Sequence, residues 1–183
     1  GHKVAPGTYT FSLNVEGQKV TTTGDIKEVP TYETKPGQYE EYDLFMTDAE
    51  QKLTNMHNLV NTLFSVQDDL KSVLKKTSDA KVKTAGEKLL ADMKAWDNDM
   101  VQRKSQAYDD VENFPNKFTA EYLFMINQTN SAIPRVNKSN KERKAELDAQ
   151  WKGLKSRGDQ FINSAIPAYN KMLWEAGIGA LRW

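Results

Sequence analysis

Two histidines, three adjacent acid pairs and one acidic triplet are the residues whose types suit catalysis or metal binding in this 183-residue chain. His2 and His57 are far apart, neither lies at metal-ligand spacing from another ligand, and no Glu-x-x-His pair of the di-iron bundle kind occurs. The acid pairs Glu40-Glu41, Asp68-Asp69 and Asp109-Asp110 are neighbours in sequence. On a helix such neighbours point about 100° apart, so they do not converge as a general acid and base. Asp97-Asn98-Asp99 has the beginning of a calcium loop without its glycine and closing glutamate. The residues therefore predict no catalytic side chain, no metal site and no cofactor site, and a chain that is not by itself an enzyme.

The other motifs read as parts of a scaffold. Arg135, Lys138, Lys141, Arg143 and Lys144 make a basic stretch, but Glu142 and Glu146 interleave with it, which predicts a solvated helix start. Asn127-Gln128-Thr129 and Asn137-Lys138-Ser139 match the glycosylation sequon. Trp96 and Trp151 fall on apolar seams, whereas Trp174 and Trp183 lie near the C-terminus, where they can dock on the helices, on a neighbouring domain, or serve as an aromatic sugar platform. Lys and Arg total 25 and Asp and Glu total 25, a balance that argues against nucleic acid as partner. With no cysteine, disulfides, thiolate zinc and cysteine nucleophiles are excluded. No run approaches the roughly 18 apolar residues of a membrane span, and Gly1 to Pro6 contain no apolar leader segment.

The elements that must carry these residues divide near Pro30, where the apolar period changes. Tyr9, Phe11, Leu13 and Val15 alternate with polar residues, as in a half-buried strand. Glu16-Gly17-Gln18 is a tight connection with glycine for the positive φ, and Lys19 to Thr23 return as a second strand that Gly24-Asp25 can interrupt before Ile26. Pro30, Pro36 and Gly37 mark a linker. From Gln38 to Lys76 the seam Met46, Ala49, Leu53, Met56, Val60, Leu63, Gln67, Leu70 and Leu74 keeps three- and four-residue steps, with Gln67 its only polar member. That pattern predicts one long helix of roughly 55 Å. Thr77-Ser78-Asp79 supplies capping residues for a second helix with the seam Val82, Ala85, Leu89, Met93, Trp96 and Met100. After a break over Gln106 to Lys117, a third helix carries Phe118, Tyr122, Met125 or Ile126, Thr129 and Ile133. A fourth, capped within Asn137 to Asn140, carries Leu147, Trp151, Leu154, Phe161, Ile162, Tyr169 and Met172. Pro167 should kink or break it. Ser131-Ala132-Ile133-Pro134 is echoed by Ser164-Ala165-Ile166-Pro167, as a duplicated helix pair would give.

The expected fold is mainly α: an antiparallel up-down-up-down bundle of about four helices, with an N-terminal β-hairpin. The expected organisation is a hairpin over residues 1–30, a linker over 31–37 and the bundle over 38–183. A lone hairpin is not stable in water, so its partner strands lie elsewhere.

Ala5-Pro6-Gly7-Thr8-Tyr9-Thr10-Phe11-Ser12-Leu13 followed by Val15-Glu16-Gly17-Gln18-Lys19 resembles the closing hairpin of a bacterial immunoglobulin-like domain. Together with the heptad helix and Ile166-Pro167-Ala168-Tyr169-Asn170-Lys171-Met172-Leu173, the chain is similar to the C-terminal region of large exported bacterial proteins. These have sortilin-like β-propellers built from BNR (Asp-box) repeats and are often labelled glycosyl hydrolases. Where that family has an Asp-Pro-Arg-type segment before the first helix, Lys27-Glu28-Val29-Pro30-Thr31-Tyr32 stands here. The resemblance implies an exported parent (periplasmic, cell-surface or secreted), the hairpin as the tail of an immunoglobulin-like unit, and no catalytic residue on these positions.

Two functions follow as expectations. One is a non-catalytic accessory module that docks on other domains of its parent or on a protein partner, or self-associates through its helices. The alternative is a glycan-binding or glycoside-hydrolase-associated domain whose chemistry lies in the parent, for which Tyr108, Tyr122 or Trp174 should line a pocket with convergent carboxylates.

Overall fold

The computed structural model describes residues 1–31 and 33–182, without the side chains of Tyr108 and Val111. It is mainly α, with a two-stranded antiparallel hairpin ahead of the helices. Strands β1 (Gly7–Val15) and β2 (Gln18–Ile26) pair from Gly7 with Ile26 to Val15 with Gln18. Glu16 at φ 49° and Gly17 at φ 82° both lie in the left-handed region, the two-residue turn whose twist matches a hairpin. Gly24 does not interrupt β2. It lies opposite Tyr9, and a side chain there would come 3.0 Å from the ring of Phe11, so the aromatic ring covers the glycine and keeps it in register.

Helix α1 spans Gln38–Lys76, with Glu40 and Glu41 in its first turn and Lys75 and Lys76 in its last, matching charge to the helix dipole at both ends. Helix α2 spans Ala80–Met100, and the Asp79 carboxylate caps it by accepting from the Lys81 and Val82 backbone N–H groups. A short 3₁₀ turn (Tyr108–Glu112) lies in the break before α3 (Phe118–Ser131). Helix α4 (Lys138–Gln160), capped by Asn137, passes through a π turn (Phe161–Ala165) into α5 (Ile166–Glu175). Pro167 neither breaks nor ends this helix. The Ile166 N–H bonds to the Phe161 carbonyl, five residues back, and the wider turn makes room for the proline ring just after it. The helix ends at Gly177, φ 70°, where the N–H groups of Gly177 and Ile178 bond to the carbonyls of Trp174 and Leu173 in a Schellman motif. The two Ser-Ala-Ile-Pro segments occupy different structures, one ending α3 and the other inside a continuous helix.

The up-down-up-down expectation is corrected by the side-chain pairings. Glu41, Asp48 and Lys52 of α1 pair in the same order with Lys141, Lys144 and Asp148 of α4, so these helices run parallel. Tyr42 bonds to Asn130 of α3, and Tyr122 of α3 bonds to Asp148, which sets α3 antiparallel to both. At the other end, Leu74 of α1 and Tyr169 of α5 meet at Gly86 of α2, while Trp96 of α2 reaches Leu154 of α4. Helix α2 is therefore also antiparallel. Helices α2 and α3 are two pieces of one descending leg, joined where the Thr119 hydroxyl donates to the Met100 carbonyl at 3.0 Å. The rod has three legs: α1 up, α2 then α3 down, α4 then α5 up.

The core is built from the anticipated seams as far as Trp151. Beyond it Ile166 and Leu173 are buried beside Tyr169, while Phe161, Ile162 and Met172, expected on the seam, are only partly buried because the π turn shifts the buried face. Met46, Met56, Leu63, Leu70, Met93, Trp96, Met100, Tyr122, Leu147, Ile166 and Leu173 are all buried with essentially no exposure. Gln67 is equally buried, and its amide nitrogen has no hydrogen-bond partner among the described residues. An unsatisfied buried donor costs about 1–3 kcal/mol. Replacing Gln67 with leucine should accordingly raise the urea midpoint of unfolding by an amount worth about 1–2 kcal/mol; an unchanged or lower midpoint would show that the amide is satisfied in solution.

Candidate functional site

The half-buried strand anticipated from the alternation is open in the structure. Phe11, Leu13, Val15 and Val20 are each more than half exposed. The register puts them on one face with Tyr9, Ile26, Gly24, Thr22 and Gln18, while Thr8, Thr10, Ser12, Thr21 and Thr23 share the other with Asn14, Lys19 and Asp25. One face of the hairpin is thus apolar and uncovered, the other is lined with hydroxyls, and both strands have a free edge.

A second feature is a cleft of about 420 Å³ between α3 and α4, walled by Glu121, Phe124, Met125, Gln128, Asn140 and Arg143. The first half of helix α3 is rich in apolar residues, and Leu123 and Phe124 are left exposed. The Arg143 guanidinium bonds to Glu121 at 2.6 Å and to Glu146 at 3.1 Å, so the cation is neutralised within the wall. The cleft can stack an apolar group on Phe124, but it presents no unpaired charge from Arg143.

The strongest electrostatic feature joins α1, α3 and α4. Asp148 accepts from Tyr122 Oη at 2.8 Å, Lys52 Nζ at 2.8 Å and Lys144 Nζ at 2.9 Å. Asp48 accepts from Lys52 at 2.7 Å and also from Lys144. Burial alone would raise both aspartate pKa values, but the hydrogen bonds from Lys144 and Lys52 outweigh it and hold them below the usual range. Burial, with Asp148 beside it, pushes the Tyr122 phenol up, and Lys52 is also raised, its two aspartates outweighing its burial. Two cations, two anions and a phenol satisfy one another, an arrangement suited to fastening three helices. Sequence reading missed this cluster. Its trace is the four-residue spacing of Asp48 to Lys52 and of Lys144 to Asp148.

Of the residues singled out by type, most are tied into the scaffold. Asp97 makes a bidentate pair with Arg103 at 2.5 and 2.6 Å, whose guanidinium lies 3.9 Å over the Phe64 ring. Asp99 pairs with Arg157 at 2.8 Å. Asp68 pairs with Lys71 at 2.7 Å, and Asp110 accepts the backbone N–H groups of Gln106 and Ala107. His57 is on the exposed flank of α1. His2 sits between Asp43 and Glu50 of α1. Of the basic stretch, Lys138, Lys141, Arg143 and Lys144 are spent in ion pairs to Glu142, Glu41, Glu121 and the two aspartates, and Arg135 is exposed. Both sequons are structural: Thr129 is buried and its hydroxyl bonds to the Met125 carbonyl, while Asn137 caps α4. Tyr122 is buried against Asp148 and Trp174 is 83% exposed on α5, so the structure does not gather these aromatics into one pocket. The Tyr108 side chain, Tyr32 and Trp183 lie outside the described residues. Among the described residues no group of three or more His, Asp or Glu side chains is placed to hold a metal ion, and no helix is long and apolar enough to cross a membrane. Compared with known proteins, the chain matches no family model, no curated protein and no solved structure.

Proposed function

We propose that this chain is a non-catalytic accessory module of a larger exported protein, in which the three-legged rod presents a β-hairpin that completes a sheet of a neighbouring domain. The observation that carries this reading is the uncovered apolar face of the hairpin, Phe11, Leu13, Val15 and Val20. Export and the immunoglobulin-like character of that neighbour rest on the resemblance of residues 5–19 to a closing hairpin. The face measures roughly 30 Å by 10 Å, about 300 Å², which is well below the roughly 800 Å² per partner of a stable interface. Pairing of two copies through this face alone is therefore weak. A sheet that covers the face and also hydrogen-bonds a free strand edge fits better, leaving the threonine face in water. The non-catalytic part is supported by Asp48, Asp97, Asp99 and Asp148, each spent in ion pairs that tie the rod together.

The test is the triple substitution Phe11→Ser, Leu13→Ser, Val20→Thr. Because these side chains are already in water, the thermal transition of the helices should move by no more than about 2 °C. Binding to the separately expressed β-rich domain that precedes the hairpin in the parent should drop at least about a hundredfold. Retained affinity would refute docking through this face, and a turnover abolished by one acid substitution would refute the non-catalytic reading.

A further inference from the structure

The hairpin is held to the rod in two places. Residues 27–37 lead from β2 into α1, and His2 and Lys3, ahead of β1, are bonded to α1 and α3. The His2 side chain is only 12% exposed. Its Nε2 lies 3.0 Å from Asp43 Oδ1 and its Nδ1 3.1 Å from Glu50 Oε2. Asp43 and Glu50 are two helical turns apart on one face of α1, and the ring inserts between them with its edge on Tyr42 at 5.6 Å. The Lys3 backbone N–H donates to Asn130 Oδ1 at 3.0 Å, and the same oxygen accepts the Tyr42 hydroxyl at 2.6 Å. The Tyr9 hydroxyl donates to the Ala5 carbonyl at 2.7 Å, joining this segment to β1.

Carboxylates only accept hydrogen bonds. A neutral imidazole carries one N–H and can satisfy one of the two, turning a lone pair toward the other; an imidazolium satisfies both. We propose that His2 is a proton-operated latch, fastening the start of the hairpin to the α1–α3 face when its ring is charged and releasing it when the ring is neutral. The groups that face the ring are Asp43, Glu50 and the Tyr42 phenol from α1; from α3 the uncharged amide of Asn130 holds the adjacent Lys3 N–H and the Tyr42 hydroxyl. Burial of the ring opposes its charge, but the hydrogen bonds and charges of Asp43 and Glu50 prevail and raise its pKa above the ordinary value. The attachment is therefore complete below about pH 6.5 and is lost as pH rises through the higher folded-state value. Release removes the His2 attachment and leaves the single Lys3–Asn130 hydrogen bond to hold this end of the hairpin to the rod beside residues 27–37, widening its range of orientations. This inference holds whatever the hairpin's apolar face docks on.

The chain has no cysteine, so spin labels can be placed cleanly at Asn14→Cys on the hairpin and Asn58→Cys on α1, both exposed positions. Label-to-label distances by pulsed electron spin resonance should be narrowly distributed at about pH 5 and broad at about pH 8.5. With His2→Gln added, the distribution should be broad at both, while far-UV circular dichroism reports an unchanged helical rod. Equal widths at the two pH values in the otherwise unsubstituted chain, or a narrow distribution in the His2→Gln variant, overturns the proposal.

Discussion

Replacing Trp96 with alanine should lower the unfolding free energy by about 3–5 kcal/mol, the largest loss expected from any single truncation in this chain. Trp96 has no exposed surface and sits where three legs meet. Its indole N–H donates to the Leu154 carbonyl at 2.8 Å, and its ring fits the slot that α4 leaves by placing glycine at position 158. A side chain on Gly158 would come 3.1 Å from the Trp96 ring and 2.6 Å from Leu59, so ring and glycine are matched in volume. Alanine at position 96 leaves a cavity the neighbours cannot fill without shifting. Phenylalanine keeps much of the volume but loses the N–H, and should cost about 1–2 kcal/mol. Urea unfolding followed by circular dichroism separates the two; equal losses would mean that the ring volume phenylalanine retains contributes nothing. A domain of this size is stable by about 5–15 kcal/mol, so the alanine variant forfeits a substantial fraction.

Asp148→Ala should follow at about 2–3 kcal/mol, because one carboxylate answers three donors. Its loss orphans the buried Tyr122 hydroxyl and leaves Lys52 and Lys144 sharing Asp48 alone. Partial exposure of Asp148 and Lys52 keeps the figure below that of a fully buried pair. The same cluster sets the response to acid. Both aspartates have lowered pKa values in the folded state. Their contribution is therefore complete above the ordinary carboxylate value of about 4 and disappears as pH falls through the lower folded values. The Asp148→Ala variant should accordingly show a shallower loss of thermal stability between about pH 4 and pH 2. An acid response as steep as that of the unsubstituted chain would place the sensitive carboxylates elsewhere.

Local order was legible in the sequence because local physics sets it. The three- and four-residue steps from Met46 to Leu74 specify a helix, Asp79 and Asn137 supply side-chain oxygens where backbone N–H groups need them, and Gly17 permits the turn. Direction was not legible. The stretch from Gln106 to Lys117, with Phe114-Pro115-Asn116, reads as a break between helices, but whether the chain then reverses is decided by contacts such as Thr119 with Met100 and the Gln102 amide with the Pro115 carbonyl. The effect of Pro167 was legible only in part, as an interruption of the α-helical pattern. A missing N–H is visible in sequence, whereas a one-residue shift of the hydrogen-bond frame that accommodates it is not. Helix α3 was legible in this respect: Leu123 and Phe124 fall off the seam of Phe118, Tyr122, Met125 or Ile126 and Thr129, and they are left outside. The Lys52–Asp148 pair joins residues 96 apart, and His2 meets Glu50 across 48. Neither distance leaves a pattern in a single chain.

The parity of the legs has a mechanical consequence. With an even number of traverses, the hairpin and the segment after α5 would emerge side by side. With three, they emerge at opposite poles: His2 and Lys3 lie against Asp43 and Asn130 at one, while Ile178 to Ala180 line a cleft with Ser72, Val73, Lys76 and Thr77 at the other. The 39 residues of α1 set the separation at about 58 Å. Tension applied between the poles acts along the interfaces between parallel and antiparallel legs, so the seams and the Lys–Asp cluster resist together in shear and are not peeled open one contact at a time.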